Sequence, residues 1–105
     1  MEQAITVMTT TKDAKEARKI ADALIDAGHA ACVQILPKIL SVYKWKDKKN
    51  ADEEVLLLVK STEAKFNDIT MTIKGIHSYE VPEIIALPIV AGEPAYLEWI
   101  TNSVR

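Results

Sequence analysis

The chain has 105 residues and a formal net charge of −2, which is enough for one domain with its own hydrophobic core. Hydrophobic residues make up 49% of it and charged residues 27%, a balance typical of folded proteins and not of disordered ones. The basic residues form no stripe, so nucleic-acid binding is not expected, and no apolar run is long enough to cross a membrane. We expect a single domain spanning residues 1–105.

The start of the chain and its cysteine content predict a location. Met1-Glu2-Gln3-Ala4 has neither the basic region nor the long hydrophobic segment of a signal peptide. The single cysteine, Cys32, cannot form an internal disulfide. We therefore expect a cytoplasmic protein.

The first part of the chain predicts a strand followed by an amphipathic helix. Ile5 to Thr9 is short and rich in β-branched residues, as expected of a first strand. Asp13 with Glu16 three residues later is a capping-box arrangement at a helix start, and Gly28 suits the position just after the helix end. The apolar residues repeat at helical spacing and predict one buried face: Ala17, Ile20, Ala21, Leu24 and Ile25.

The middle of the chain predicts a long hairpin of two strands. The first strand starts at Ala30, meets a bulge or a sheet edge at Pro37 and continues to Lys46. Asp47 to Asp52 is predicted to be a polar loop. Glu53 to Lys60 is predicted to be the returning strand, and its continuous apolar run indicates burial on both faces.

Two strands of this length extend beyond the sheet of so small a domain. The overhanging part carries Tyr43 and Trp45, which are not expected to stand in water. The simplest remedy is a partner subunit, so we expect a homo-oligomer with Tyr43, Trp45 and Trp99 at its interfaces.

The last part of the chain predicts a helix, a strand and a terminal helix. Ser61 or Thr62 is expected to cap the first of these helices, the strand is expected over residues 84–90, and Pro94 fits the first turn of the last helix. The expected core positions are Phe66, Ile69, Ile73, Ile76, Leu97, Ile100 and Val104. The element order predicts an α+β fold: a ferredoxin-like βαββαβ sandwich with an extra C-terminal helix and a long β2–β3 hairpin.

The densest group of chemically active side chains is His77-Ser78-Tyr79-Glu80-Val81-Pro82-Glu83. Neutral imidazole binds divalent metals, so His77 is a candidate metal ligand or proton carrier. Glu80 and Glu83 form a carboxylate pair suited to acid–base work. The alternatives are that His77 satisfies a backbone carbonyl and that the glutamates pair with Lys60 or Lys74. A further alternative is a ligand cleft at a subunit boundary lined by Tyr43, Trp45, Lys60, Tyr79 and Glu80. No phosphate-binding glycine loop or nucleophile motif is present, so no catalysis is indicated.

Several motifs in their order along the chain resemble the CutA family of divalent-cation tolerance proteins. These are Ala30-Ala31-Cys32-Val33, Ser41-Val42-Tyr43-Lys44-Trp45-Lys46, Glu54-Val55 to Lys60, His77 to Ile84, and Tyr96-Leu97-Glu98-Trp99-Ile100. Asp47 stands where that family usually has glycine, and Thr9 and Ile76 stand where some members have a cysteine and a second histidine.

The resemblance implies a cytoplasmic homotrimer joined by its long hairpins, similar in architecture to the P-II signalling proteins, with a part in tolerance to copper and other divalent cations. It implies no obligatory cofactor, and at most weak binding of Cu²⁺ or another divalent cation. Three hypotheses follow. The first, motivated by the resemblance, is a metal-binding trimer without catalysis, with His77 as a weak ligand and Glu80 or Glu83 supplying oxygen. The others are a P-II-like small-molecule sensor and a structural trimer.

Overall fold

The computed structural model describes residues 2–105 and contains one four-stranded sheet with three helices. The strands are β1 (Ala4–Thr11), β2 (Cys32–Trp45), β3 (Lys48–Thr62) and β4 (Ile85–Pro88), and the helices are α1 (Ala14–Asp26), α2 (Phe66–Ile76) and α3 (Pro94–Ser103). The strand order is β2-β3-β1-β4, and all neighbouring strands are antiparallel. The predicted α+β, ferredoxin-like βαββαβ fold with an extra C-terminal helix is confirmed.

Helix α1 begins and ends where its sequence signals predict. The Asp13 side chain accepts a hydrogen bond from the Glu16 amide at 2.8 Å, and Gly28 has a φ of 76° just beyond the helix end. The Glu16 carboxylate does not complete a capping box. It accepts a hydrogen bond from the Ser78 hydroxyl at 3.2 Å, which ties α1 to the segment after α2.

The hydrophobic core lies between the sheet and helices α1 and α2. Alternate residues of β1 and β3 face the helices, because side chains of a strand alternate between its two faces. Burying each large aliphatic side chain stabilises the fold by about 1.5–3 kcal/mol. The fully buried aliphatic residues of this cluster are Val7, Ile20, Leu24, Leu57, Val59, Ile69 and Ile73.

The hairpin is longer and more regular than its sequence predicts. The strands stay paired as far as Trp45 and Lys48, so the prediction of a polar loop over residues 47–52 is wrong. Lys46 and Asp47 have φ values of 51° and 64°, which makes a two-residue turn of the kind whose twist matches the flanking strands. Polar residues can continue the strand pairing near the turn, because backbone hydrogen bonds alone hold the two strands together in this exposed part of the hairpin. The predicted irregularity at Pro37 is confirmed as a register shift between Leu36 and Ile39.

Two further predictions need correction. Strand β4 covers only residues 85–88 instead of 84–90. Neither candidate caps α2 through its side chain. The Ser61 hydroxyl donates to the His29 carbonyl at 2.6 Å, and Thr62 precedes a 3₁₀ turn over Glu63–Lys65 with no side-chain cap. Burial explains both, because Ser61 and Thr62 face the protein interior at the end of β3.

The sheet has one uncovered side, which we call the open face. Strand alternation and register place Met8, Leu36, Leu56, Leu58, Ile85 and Leu87 on it. Ile85 and Leu87 are 47% and 49% exposed. Beyond the last β1–β3 pair, Thr11 with Val55, the hairpin projects from the sheet alone. Among the described residues no helix is long and apolar enough to cross a membrane.

Candidate functional site

A cleft of about 460 Å³ lies where the hairpin leaves the sheet, beside the segment that follows α2. We refer to it as the cleft. One wall comes from β2 and β3 and the other from residues 78–83. The cleft is lined by Thr10, Tyr43, Trp45, Asp52, Glu54, Ser78, Tyr79, Glu80, Val81 and Glu83.

The strand register explains why four of these side chains share a wall. Tyr43 pairs with Asn50, and Trp45 with Lys48. Since side chains two residues apart on a strand share a face, Tyr43 and Trp45 lie on the same side of the hairpin as Asp52 and Glu54. The hairpin therefore presents two aromatic rings and two carboxylates together.

His77 fixes the opposite wall. It lies directly after α2, its side chain is fully buried, and its Nε2 is 2.6 Å from the Thr10 carbonyl oxygen. A carbonyl can only accept, so Nε2 carries the proton and Nδ1 is an acceptor. Nδ1 accepts a hydrogen bond from the Tyr79 amide at 3.0 Å. The imidazole thus joins β1 to the cleft wall.

The two carboxylates of β3 that line the cleft are each hydrogen-bonded to a tyrosine. The Tyr79 hydroxyl donates to Glu54 Oε2 at 2.6 Å, and the Tyr43 hydroxyl donates to Asp52. Burial first, and then the bond to Glu54, raise the pKa of Tyr79 well above its usual value near 10. The pKa of Tyr43 is also raised, mainly by its bond to Asp52. Both tyrosines are therefore neutral hydrogen-bond donors at physiological pH.

The candidate metal ligands do not form a ready site within one chain. Glu80 and Glu83 line the cleft, whereas both ring nitrogens of His77 are already hydrogen-bonded. Within residues 2–105, no group of three or more His, Cys, Asp or Glu side chains is placed to hold a metal ion. His77 instead makes the backbone-carbonyl contact that the sequence left as an alternative.

The candidate ligand cleft forms in part. Tyr43, Trp45, Tyr79 and Glu80 all line it, but Lys60 does not. Lys60 lies six residues beyond Glu54 on β3, about 20 Å along the strand, and its Nζ donates to Gln34 at 2.9 Å. Asp52 and Glu54 were not among the predicted site residues: Asp52 falls in the predicted loop, and Glu54 in the predicted strand. The period-two spacing of Asp52 and Glu54 was the signal that could have found them.

The candidate interface aromatics are partly exposed in the isolated chain. Tyr43 and Trp45 are each 42% exposed and Trp99 is 46% exposed. Trp99 lies on α3 with its ring 5.5 Å from that of Tyr96. Exposed aromatic side chains therefore occur on α3 as well as on the hairpin.

A ferredoxin-like sheet with an overhanging hairpin and a tyrosine-carboxylate cleft at its base defines the structural class of this protein. Residues 5–103 match the family of CutA1 divalent ion tolerance proteins. The chain is 44% identical over 97 residues to the divalent-cation tolerance protein CutA of Thermus thermophilus, covering 92% of this chain and 94% of that protein. It is 41% identical over 101 residues to the chloroplastic protein CutA of Arabidopsis thaliana, covering 96% of this chain.

Solved structures agree with the sequence comparison. The Cut A1 structure from Thermus thermophilus superimposes with a TM-score of 0.95 at 40% identity, over 97% of this chain and 99% of that one. CutA1 from Oryza sativa gives 0.95 at 41% identity, over 99% and 95%. The chain belongs to the CutA1 divalent ion tolerance family. It spans 56% and 57% of the length of the Arabidopsis and rice proteins.

Proposed function

We propose that residues 1–105 form one domain of a cytoplasmic homotrimer that contributes to divalent-cation tolerance by binding cations and not by catalysis. The observation that carries the cation-binding part is the charge of the cleft. Asp52, Glu54, Glu80 and Glu83 converge on it, and no lysine, arginine or histidine is among its lining residues. A concave surface lined by charges of one sign concentrates ions of the opposite sign.

The trimer is supported by the apolar surface that the isolated chain leaves in water. The open face exposes Leu36, Ile85 and Leu87, and the other side of the projecting hairpin exposes Leu40 and Val42. So many exposed apolar side chains on a small protein indicate an interaction site. The similarity in architecture to the CutA family makes three copies the expected assembly.

Oligomeric state is tested by native mass spectrometry of the whole protein. Trp45→Asp is expected to convert trimer to monomer, because it places a carboxylate in the proposed contact. Lys46→Asp, one residue away in the turn, is the matched control and should remain trimeric. A folded Trp45→Asp trimer would contradict the proposed role of the hairpin.

For the metal ion we propose Glu80 and Glu83 as oxygen donors, within one protomer or shared with a neighbour. His77 would join them only by giving up its bond to the Thr10 carbonyl or to the Tyr79 amide. Since no three-ligand group stands ready in the described residues, binding is expected to be weak.

The metal proposal is tested by titrating the trimer with Cu²⁺ and Zn²⁺ in native mass spectrometry. Uptake should fall when Glu80 and Glu83 are both changed to glutamine and should persist after Glu93→Gln, an exposed carboxylate that caps α3. His77→Ala tests the role of the imidazole. If His77 is a metal ligand, its loss removes metal uptake; if it only joins β1 to the cleft wall, its loss lowers stability and leaves uptake unchanged. A trimer that takes up neither ion would overturn the metal-binding part.

Cell fractionation tests the location, since relatives are named chloroplastic and periplasmic.

A small-molecule sensor of the P-II type is the second candidate, favoured by the size of the cleft. About 460 Å³ lies within the range of small-molecule pockets, and Tyr43, Trp45, Tyr79 and Glu80 line it together. If the trimer were only a scaffold, replacing His77 and Glu80 by alanine would lower the melting temperature and change no ligand binding.

A further inference from the structure

Glu54 is the one carboxylate among the buried residues of the described chain, with 8% of its surface exposed. Its Oε2 accepts a hydrogen bond from the Tyr79 hydroxyl at 2.6 Å. Within residues 2–105, no lysine, arginine or histidine nitrogen lies within 4.0 Å of it. A buried carboxylate without a cation costs free energy, and a neutral hydroxyl offsets only part of that cost.

The surroundings of Glu54 add negative charge instead of neutralising it. Asp52 lies two residues earlier on the same face of β3, and Glu80 and Glu83 line the facing wall. Lys60 lies on the same face of β3, nearer the C-terminal end of the strand. Its Nζ donates a hydrogen bond to Gln34. Within the described chain, no ion pair shorter than 4.0 Å therefore balances the charge of Glu54.

The other lining groups indicate what kind of cation would fit. The rings of Tyr43, Trp45 and Tyr79 line the same cleft. Aromatic faces attract ammonium groups and offer apolar contact to a hydrocarbon chain. A bare metal ion needs close, convergent ligands, and the carboxylates of the described chain do not provide three of them. A volume of about 460 Å³ suits a small organic molecule instead.

We propose that the cleft binds a small organic cation bearing primary ammonium groups. One ammonium group donates hydrogen bonds to the Glu54 and Asp52 carboxylates, and the alkyl chain lies against the aromatic rings. The inference rests on the proposed function, that the cleft binds cations, and narrows the class of ligand. Glu54 has the central role because it is the most buried of the four carboxylates.

The test uses 1,4-diaminobutane as the probe, with 1,4-butanediol as its neutral counterpart and succinate as an anion of similar length. The protein has two tryptophans, so Trp99→Phe leaves Trp45 as the sole fluorescent reporter in the cleft. Calorimetric titration of the unsubstituted trimer at low salt provides a second readout that does not depend on this substitution. Saturable binding of the diamine, with no response to the diol or succinate, is expected.

Two variants locate the site. Glu54→Gln keeps an oxygen acceptor for Tyr79 and should raise the dissociation constant at least tenfold. Glu53→Gln is the control, because it removes the same charge one residue away, on the opposite and exposed face of β3. It should change the dissociation constant less than about twofold, because exposed charges are screened. Circular dichroism checks that both variants are folded.

The possible results separate this inference from the proposed function. Copper uptake without diamine binding would overturn the inference and leave the metal-binding proposal standing. Absence of both would overturn the inference together with the cation-binding cleft. Equal affinity of Glu54→Gln, or an equal response to the diol, would also overturn it, because the buried charge would then not select the ligand.

Discussion

The Nε2 atom of His77 lies 2.6 Å from the carbonyl oxygen of Thr10, although the two residues are 67 positions apart in the chain. Thr10 lies near the end of β1, and His77 follows α2. The imidazole also accepts the Tyr79 amide through Nδ1, and Tyr79 in turn donates to Glu54 on β3. One buried ring therefore holds the cleft wall against two strands.

Replacing this ring should cost stability. His77→Ala leaves the Thr10 carbonyl and the Tyr79 amide without their partners and opens a cavity, so we expect a loss of about 2–4 kcal/mol in the free energy of unfolding. Urea unfolding at fixed protein concentration measures it. His29→Ala is the matched control, since the His29 side chain makes no hydrogen bond within the described residues; it should cost less than half as much. Equal losses of unfolding free energy in the two variants would contradict the structural role of His77.

Two buried threonines of β1 should respond in opposite ways to the same substitution. Thr9 and Thr11 are both fully buried. The Thr11 hydroxyl donates to the Asp13 carbonyl at 2.8 Å, whereas the Thr9 hydroxyl has no partner in the described residues. Thr11→Val should destabilise by about 1 kcal/mol, and Thr9→Val should stabilise by up to about 1 kcal/mol. Thermal unfolding of the two variants gives the comparison, and shifts of the same sign would contradict it.

Asp47 is expected to limit the stability of the hairpin turn. It has a φ of 64°, a conformation that glycine adopts without the steric cost that other residues incur. Asp47→Gly should raise the free energy of unfolding by about 0.5–1 kcal/mol. Lys49→Gly, at a regular strand position, should lower it. A stability decrease in Asp47→Gly, measured by thermal unfolding, would mean that the carboxylate contributes more than the backbone strain removes.

Tyr79 should make stability depend on pH in the alkaline range. Its pKa is raised in the folded protein by burial and by the bond to Glu54, so the neutral form is favoured on folding. The stabilisation is complete below the unfolded pKa near 10 and is lost as the pH rises from there through the folded pKa.

Ultraviolet absorbance titration of the three tyrosines should show two that ionise late, Tyr43 and Tyr79, and Tyr79→Phe should remove the later of these two transitions. The same variant should cost about 1–3 kcal/mol at neutral pH, because the buried Glu54 loses its hydrogen-bond donor. Tyr96→Phe, a change at an exposed residue, is the control and should leave the late ionisation in place. If Tyr79→Phe left the latest transition unchanged, the assignment would be wrong.

Local signals in the sequence located most of the fold. Asp13, Gly28 and Pro94 mark helix ends through their own backbone and side-chain chemistry, and the helical repeat of Ile20 and Leu24 marks the buried face. These signals depend on near neighbours in the chain. The hairpin tip was mispredicted because Lys48 to Asp52 look like a loop, although backbone pairing with β2 makes them a strand.

The order of the elements, both ends of α1 and the start of α3 followed from the sequence, since periodicity and capping act over a few residues. The start of α2 and the chemistry of the site depended on tertiary contacts. In the folded chain both ring nitrogens of His77 are hydrogen-bonded, Lys60 lies outside the cleft, and Glu54 is buried and hydrogen-bonded to Tyr79. Each of these features depends on contacts between residues far apart in the chain, and local sequence patterns do not specify such contacts.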